Sequence, residues 1–125
     1  MQSEKLSNKE FAQKLEKRTK QFAVRIITLS AQLPSTPEGN VSRYQLVKSG
    51  TSIGANYREA NRAVSKADFR NKISICEKEA SETQYWLEVI MEAGLMPSEQ
   101  VEPDYKECSE LLAIFTSIGQ SSTGK

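Results

Sequence analysis

A chain of 125 residues, 38% hydrophobic and 26% charged, fits one soluble domain with one sizeable core. Histidine is absent and only two cysteines occur, singly and far apart, which removes the commonest general base and the commonest transition-metal ligand and argues against a zinc site. The net charge of +1 conceals an asymmetry, because residues 1–62 carry 11 Lys and Arg against 5 Asp and Glu, whereas residues 63–125 carry 6 against 11.

The first helix is expected to begin near Ser7, where Ser7 and Glu10 have capping-box spacing. Phe11, Leu15, Phe22, Ile26, Leu29 and Leu33 mark one face, with Arg18 or Thr19 filling the gap in the row. Pro34, Pro37, Gly39 and Asn40 read as the loop that follows. Ser42 and Gln45 repeat the capping-box pattern and predict the start of the second helix. Gly50 and Gly54 lie inside it. Each costs about 1 kcal/mol against alanine in a helix interior, which close contact with another helix would offset.

The second helix carries two stripes. Leu46, Ile53, Tyr57 and Ala60 are apolar. Beside them Gln45, Ser49, Ser52, Asn56 and Glu59 recur at intervals of four, three, four and three, so they share a face. The third helix is predicted to start at Ser65, with Asp68 in its first turn, and to bury Phe69, Ile73, Cys76, Ala80, Thr83, Leu87 and Ile90. Trp86 and Met91 widen that face, and Gly94 with Pro97 behind it reads as the stop. The fourth helix is expected to open near Glu102 and Pro103 and to bury Tyr105, Cys108, Leu111, Leu112, Phe115 and Ile118. The polar tail, about residues 119–125, is expected to be disordered. Nothing reads as a strand. Long helices joined by short breaks predict a single domain over 1–125, an all-α, up-down-up-down antiparallel four-helix bundle.

Glu79 and Glu82 lie three apart on the third helix and face the polar stripe. Carboxylates on facing helices can hold two metals in a bundle core, but that arrangement adds Glu-x-x-His pairs, and no histidine exists here. The expectation is a shielded polar network of Gln45, Ser49, Ser52, Asn56, Glu59, Glu79 and Glu82 between the second and third helices. The alternative is an exposed stripe that forms a subunit interface. Ser49, Thr51 and Ser52 have no base to activate them, and no Ser-x-x-Lys or phosphate-loop order occurs. The residues therefore imply no catalytic site, no cofactor, no metal and no small-molecule substrate. Cys76 and Cys108 read as small core residues in a reducing compartment.

The charge asymmetry allows two readings. Basic helices lie beside acidic ones within one bundle, or the halves meet a partner: a second subunit or nucleic acid. Lys14, Lys17, Arg18, Arg25, Lys48 and Arg58 are the candidates for contact with RNA or DNA. No apolar run reaches membrane-spanning length, and the N-terminus lacks the apolar segment of a secretory signal, so the expected location is cytoplasmic, with no membrane partner.

QLVKSGTSIGANYREA, the Ser65-Lys66-Ala67-Asp68-Phe69 start of the third helix, and KEASETQYWL together resemble one family. It is the small bacterial four-helix bundle proteins that include the 23S rRNA-intervening-sequence proteins. The family's Ser-Ile-x-x-Asn-x-x-Glu core is matched by Ser52, Ile53, Asn56 and Glu59, and its second acidic motif by Glu79 and Glu82. The resemblance covers roughly Phe11 to Leu95. It implies an all-α homopentamer around an axial opening, with no enzymatic activity. The leading expectation is an oligomeric scaffold or adaptor whose partners are its own copies and, as a further candidate, another protein. Related bundles of retroelements serve as accessory subunits that bind a reverse transcriptase and nucleic acid. Those subunits are markedly basic, whereas this chain is nearly neutral. Cys76 stands where a small residue such as alanine is commoner.

Overall fold

A computed structural model describes residues 8–123. Four helices fill almost all of it: α1 (Asn8–Ser30), α2 (Pro37–Ala60), α3 (Lys66–Glu92) and α4 (Ser98–Thr123). No strand occurs among the described residues. Each helix packs on its neighbours in sequence and α1 also meets α4, while the diagonal helices keep their backbones apart and α2 and α4 meet through the core, where the Tyr57 and Phe115 rings stand edge to face at 5.4 Å. That closed ring, with connections of a few residues, is the up-down-up-down bundle the apolar spacing predicts.

The core forms where the stripes meet. Leu15, Phe22, Ile26 and Leu29 of α1, Leu46, Ile53, Tyr57 and Ala60 of α2, Ile73, Cys76, Ala80, Leu87 and Ile90 of α3, and Cys108, Leu111 and Phe115 of α4 are buried. Each large apolar side chain stabilises the fold by roughly 1.5–3 kcal/mol. Thr19, not Arg18, fills the gap in the α1 row. It is fully buried, and its hydroxyl donates to the Leu15 carbonyl at 2.9 Å. Phe11, at the start of the row, is 43% exposed, and Leu112 is only partly buried against the core.

The two helix glycines set the α1–α2 distance. A Cβ at Gly50 would lie 2.9 Å from Ile26 Cγ2, and one at Gly54 would lie 3.1 Å from Thr19 Oγ1. Close approach of the two backbones offsets the propensity cost of glycine.

Several boundaries differ from the sequence expectation. Helix α2 starts at Pro37, not near Ser42: Thr36 is the cap, its Oγ1 accepts from the Gly39 amide at 3.1 Å, and Pro37 takes the first helical position. Ser42 is buried inside the helix. A Cβ at Gly39 would fall 2.0 Å from the Pro34 carbonyl oxygen, so this turn requires glycine. Helix α4 starts at Ser98 and takes Pro103 into its second turn. The earlier start brings Val101 into the core, fully buried. Helix α4 also runs on to Thr123, so residues 119–123 are helical and not the disordered tail expected. The Ser7 cap lies outside the described residues.

The ends of α3 follow their sequence signals. Ser65 Oγ accepts from the Asp68 amide at 3.0 Å. At the other end Gly94 takes φ +68, while the Gly94 amide bonds Met91 O and the Leu95 amide bonds Ile90 O. That is the paired closure in which a left-handed glycine satisfies the last carbonyls of a helix.

Candidate interaction surface

Ser49, Ser52 and Asn56 of the α2 polar stripe bond to carbonyls of their own helix and not to α3. Ser49 Oγ donates to Gln45 O at 3.0 Å, Ser52 Oγ to Lys48 O at 2.7 Å, and Asn56 Nδ2 to Ser52 O at 2.9 Å. On α3, Thr83 Oγ1 does the same to Glu79 O at 2.7 Å. A short polar side chain on a helix reaches the carbonyl four residues back more easily than it reaches a second helix. Ser49 is buried, Gln45, Ser52 and Asn56 are half-buried, and Glu59 is exposed. The shielded network of seven residues is therefore not formed within one chain.

Glu59 instead pairs with Lys72 Nζ at 2.8 Å on the α2–α3 surface. The ion pair holds the Glu59 carboxyl below its ordinary range and lifts Lys72. Glu79 and Glu82 are half-buried. Neither finds a hydrogen-bond donor or an ion-pair partner among the described residues. Partial desolvation, and then the charge of Glu82, push Glu79 above the usual carboxylate range, while Lys78 and Lys48 act in the opposite direction. No group of three or more His, Cys, Asp or Glu among the described residues is placed to hold a metal ion.

The six basic candidates divide. Arg18 donates through Nε to Glu107 at 2.6 Å and through Nη2 to Glu107 and Glu110, at 2.8 and 2.7 Å. Those bonds raise its already high pKa. Arg25 Nε lies 2.6 Å from Asp104 Oδ1, and Arg58 Nε lies 3.7 Å from Glu16 Oε1. Lys14, Lys17 and Lys48 are exposed and form no ion pair among the described residues. Much of the charge asymmetry is thus spent inside the bundle, where basic α1 faces acidic α4. Both thiols point inward: Cys76 Sγ donates to Ile53 O and Cys108 Sγ to Ala80 O. Burial pushes each thiol up to about 12.

Two features were not recognised in the sequence. Arg43 of α2 reaches back over the end of α1, donating to the Ser30 carbonyl at 3.1 Å and also to those of Leu33 and Pro34. It thereby ties the connection after α1 to the start of α2 through three carbonyls. The second feature is apolar. Val24 and Ile27 of α1, and Val41 and Tyr44 of α2, are all more than half exposed. Their i, i+3 spacing, set off from the core stripe, was the signal available.

The profile of one protein family, described as 23S rRNA-intervening sequence protein, matches residues 12–117. The chain belongs to this family. The match takes in most of α4, beyond the Phe11–Leu95 stretch in which the resemblance was read. Among solved structures, a crystal structure of a protein of unknown function from the S23 ribosomal protein family of Bacteroides thetaiotaomicron is similar. It is 41% identical, over 84% of this chain and 97% of that one, with a TM-score of 0.78. No curated protein matches the chain. No helix among the described residues is long and apolar enough to cross a membrane.

Proposed function

We propose that this 23S rRNA-intervening sequence family protein is a non-enzymatic scaffold or adaptor of the cytoplasm that works as a homo-oligomer, five copies in the arrangement the family resemblance implies. The observation that carries the reading is the exposed apolar set Val24, Ile27, Val41 and Tyr44. Large apolar side chains left exposed outside a well-filled core, two on each of two adjacent helices, suit contact with another chain. The absence of chemistry is supported by the residues themselves. The chain has no histidine, and both thiols stay protonated at neutral pH because burial holds them at about 12. The Ser49, Thr51 and Ser52 hydroxyls donate to carbonyls of their own helix, with no base beside them. Ile27→Lys with Tyr44→Lys should convert the assembly to smaller species without unfolding the bundle. Unchanged mass by light scattering would show that this face is not the contact.

A second reading, an accessory protein that binds RNA or DNA, is favoured by one observation. Lys14, Lys17 and Lys48 remain exposed and outside the ion pairs that occupy Arg18 and Arg25. Binding through phosphates weakens steeply with salt, by a slope close to the number of contacts. A gel shift with structured RNA, repeated with Lys14→Gln and Lys17→Gln, decides between the two. Tight binding that is lost with salt and with both lysines supports the accessory role, and no binding at low salt rejects it.

A further inference from the structure

The four seams of the bundle are built differently. The α1–α2 seam is closed by backbone approach at Gly50 and Gly54. The α3–α4 seam has core contact reinforced by neutral and singly charged hydrogen bonds: Gln84 to Ser109, Tyr105 to Glu88, Thr116 to Glu77, and Cys108 to the Ala80 carbonyl. The α2–α3 seam is the most extensive. The α1–α4 seam is by far the sparsest in backbone proximity, and what crosses it is ionic. Arg18 grips Glu107 and Glu110, and Arg25 grips Asp104 while also donating to the Pro103 carbonyl at 3.2 Å. Along the same seam runs an open groove of about 610 Å³, with Val24, Leu29, Gln32, Glu99 and Pro103 among its walls.

We propose that the α1–α4 seam is an ionic latch, and that the bundle opens there before it opens anywhere else. Arg18 and Arg25 are about 40% exposed, and their partners range from nearly buried to half-exposed. Such pairs are reached by salt and individually weak, but here they substitute for the helix contact that secures the other three seams. Released, α1 stays with α2 through the glycine contact, and α4 stays with α3. The apolar faces that carry Leu29 on one side and Leu111 on the other then become accessible to solvent, and the Phe115 ring leaves Tyr57.

Hydrogen exchange read by mass spectrometry on helix-resolved peptides tests this. The samples are the wild-type chain at about 0.05 and about 1 M NaCl and the variant Arg18→Gln with Arg25→Gln. The control is Arg58→Gln with Lys72→Gln, which removes the Arg58–Glu16 and Lys72–Glu59 ion pairs outside this seam. Salt and the latch variant should each speed exchange in α1 and α4 roughly tenfold while leaving α2 and α3 within about twofold, and the control should not. Exchange that rises equally in all four helices, or in none, overturns the proposal. Should the latch variant fail to fold, the salt comparison on the wild-type chain decides the question alone.

Discussion

Gly50 gives the most demanding test of the packing. Alanine in place of a mid-helix glycine ordinarily stabilises a helix by about 1 kcal/mol. Here the new Cβ would stand 2.9 Å from Ile26 Cγ2, 3.1 Å from Cγ1 and 3.2 Å from Cβ. Ile26 is fully buried and β-branched, so it has little rotamer freedom with which to retreat. Overpacking of this kind costs about 1–3 kcal/mol. Gly50→Ala should therefore lose about 1 kcal/mol net, or roughly 4 °C in Tm for a domain of this size. Ile26→Ala alone should cost about 2–5 kcal/mol. In that background the obstruction is gone, and Gly50→Ala should regain about 1 kcal/mol, a coupling near 2 kcal/mol between the two sites. Urea unfolding of the four proteins at one fixed protein concentration measures the cycle. Gly50→Ala raising the stability of the wild-type chain by about 1 kcal/mol would refute the close α1–α2 approach.

The buried thiols predict alkaline lability. Each is held near 12 when folded against 9.0 ordinarily, so above pH 9 the unfolded chain loses protons that the folded one keeps. Stability should fall by about 1.4 kcal/mol per thiol for each pH unit between about 9 and 12, and Cys76→Ala with Cys108→Ala should flatten the urea-midpoint profile in that window. Ser65→Ala should cost about 1 kcal/mol through loss of the α3 cap, while Ser42→Ala, inside α2, should not show a cap loss. Glu79→Gln should raise Tm at pH 7 by removing a partly desolvated charge beside Glu82, and the gain should fade as pH falls from the raised folded value toward the ordinary carboxylate range and be gone below it. A drop in Tm at pH 7 would instead mean that a partner subunit supplies a cation to Glu79. Glu59→Ala should leave Tm unchanged, since Glu59 is a surface residue.

Helix identity and the core were legible because spacing of three and four survives wherever side chains pack on one another. Leu46, Ile53 and Tyr57, or Ile73, Cys76 and Ala80, could be placed without coordinates. Starts were less legible where two cap signals competed. Ser42-x-x-Gln45 reads as the beginning and Pro37 as loop, although Thr36-Pro37 also carries a cap signal, and the structure starts the helix there, with Gly39 tight against the Pro34 carbonyl. Pro103 misplaced the start of α4 because a proline tolerated in the second turn looks, in sequence, like one at the first position. The polar stripe misled for a different reason. Its period showed that Ser49, Ser52 and Asn56 share a face, but not whether their donors would turn to another helix or to their own carbonyls. Glu59, at the end of that stripe, is exposed and pairs with Lys72 at the surface. The pairing of Arg18 and Arg25 with α4 depends on which helices become neighbours, information that charge totals do not contain.

The central claim, that the protein acts by assembly and not by chemistry, is tested most directly by its native mass. Native mass spectrometry at low micromolar concentration should find one closed species, five copies of the 14.0 kDa chain, broken into smaller forms by Ile27→Lys with Tyr44→Lys. A single 14.0 kDa species across that concentration range would contradict the account.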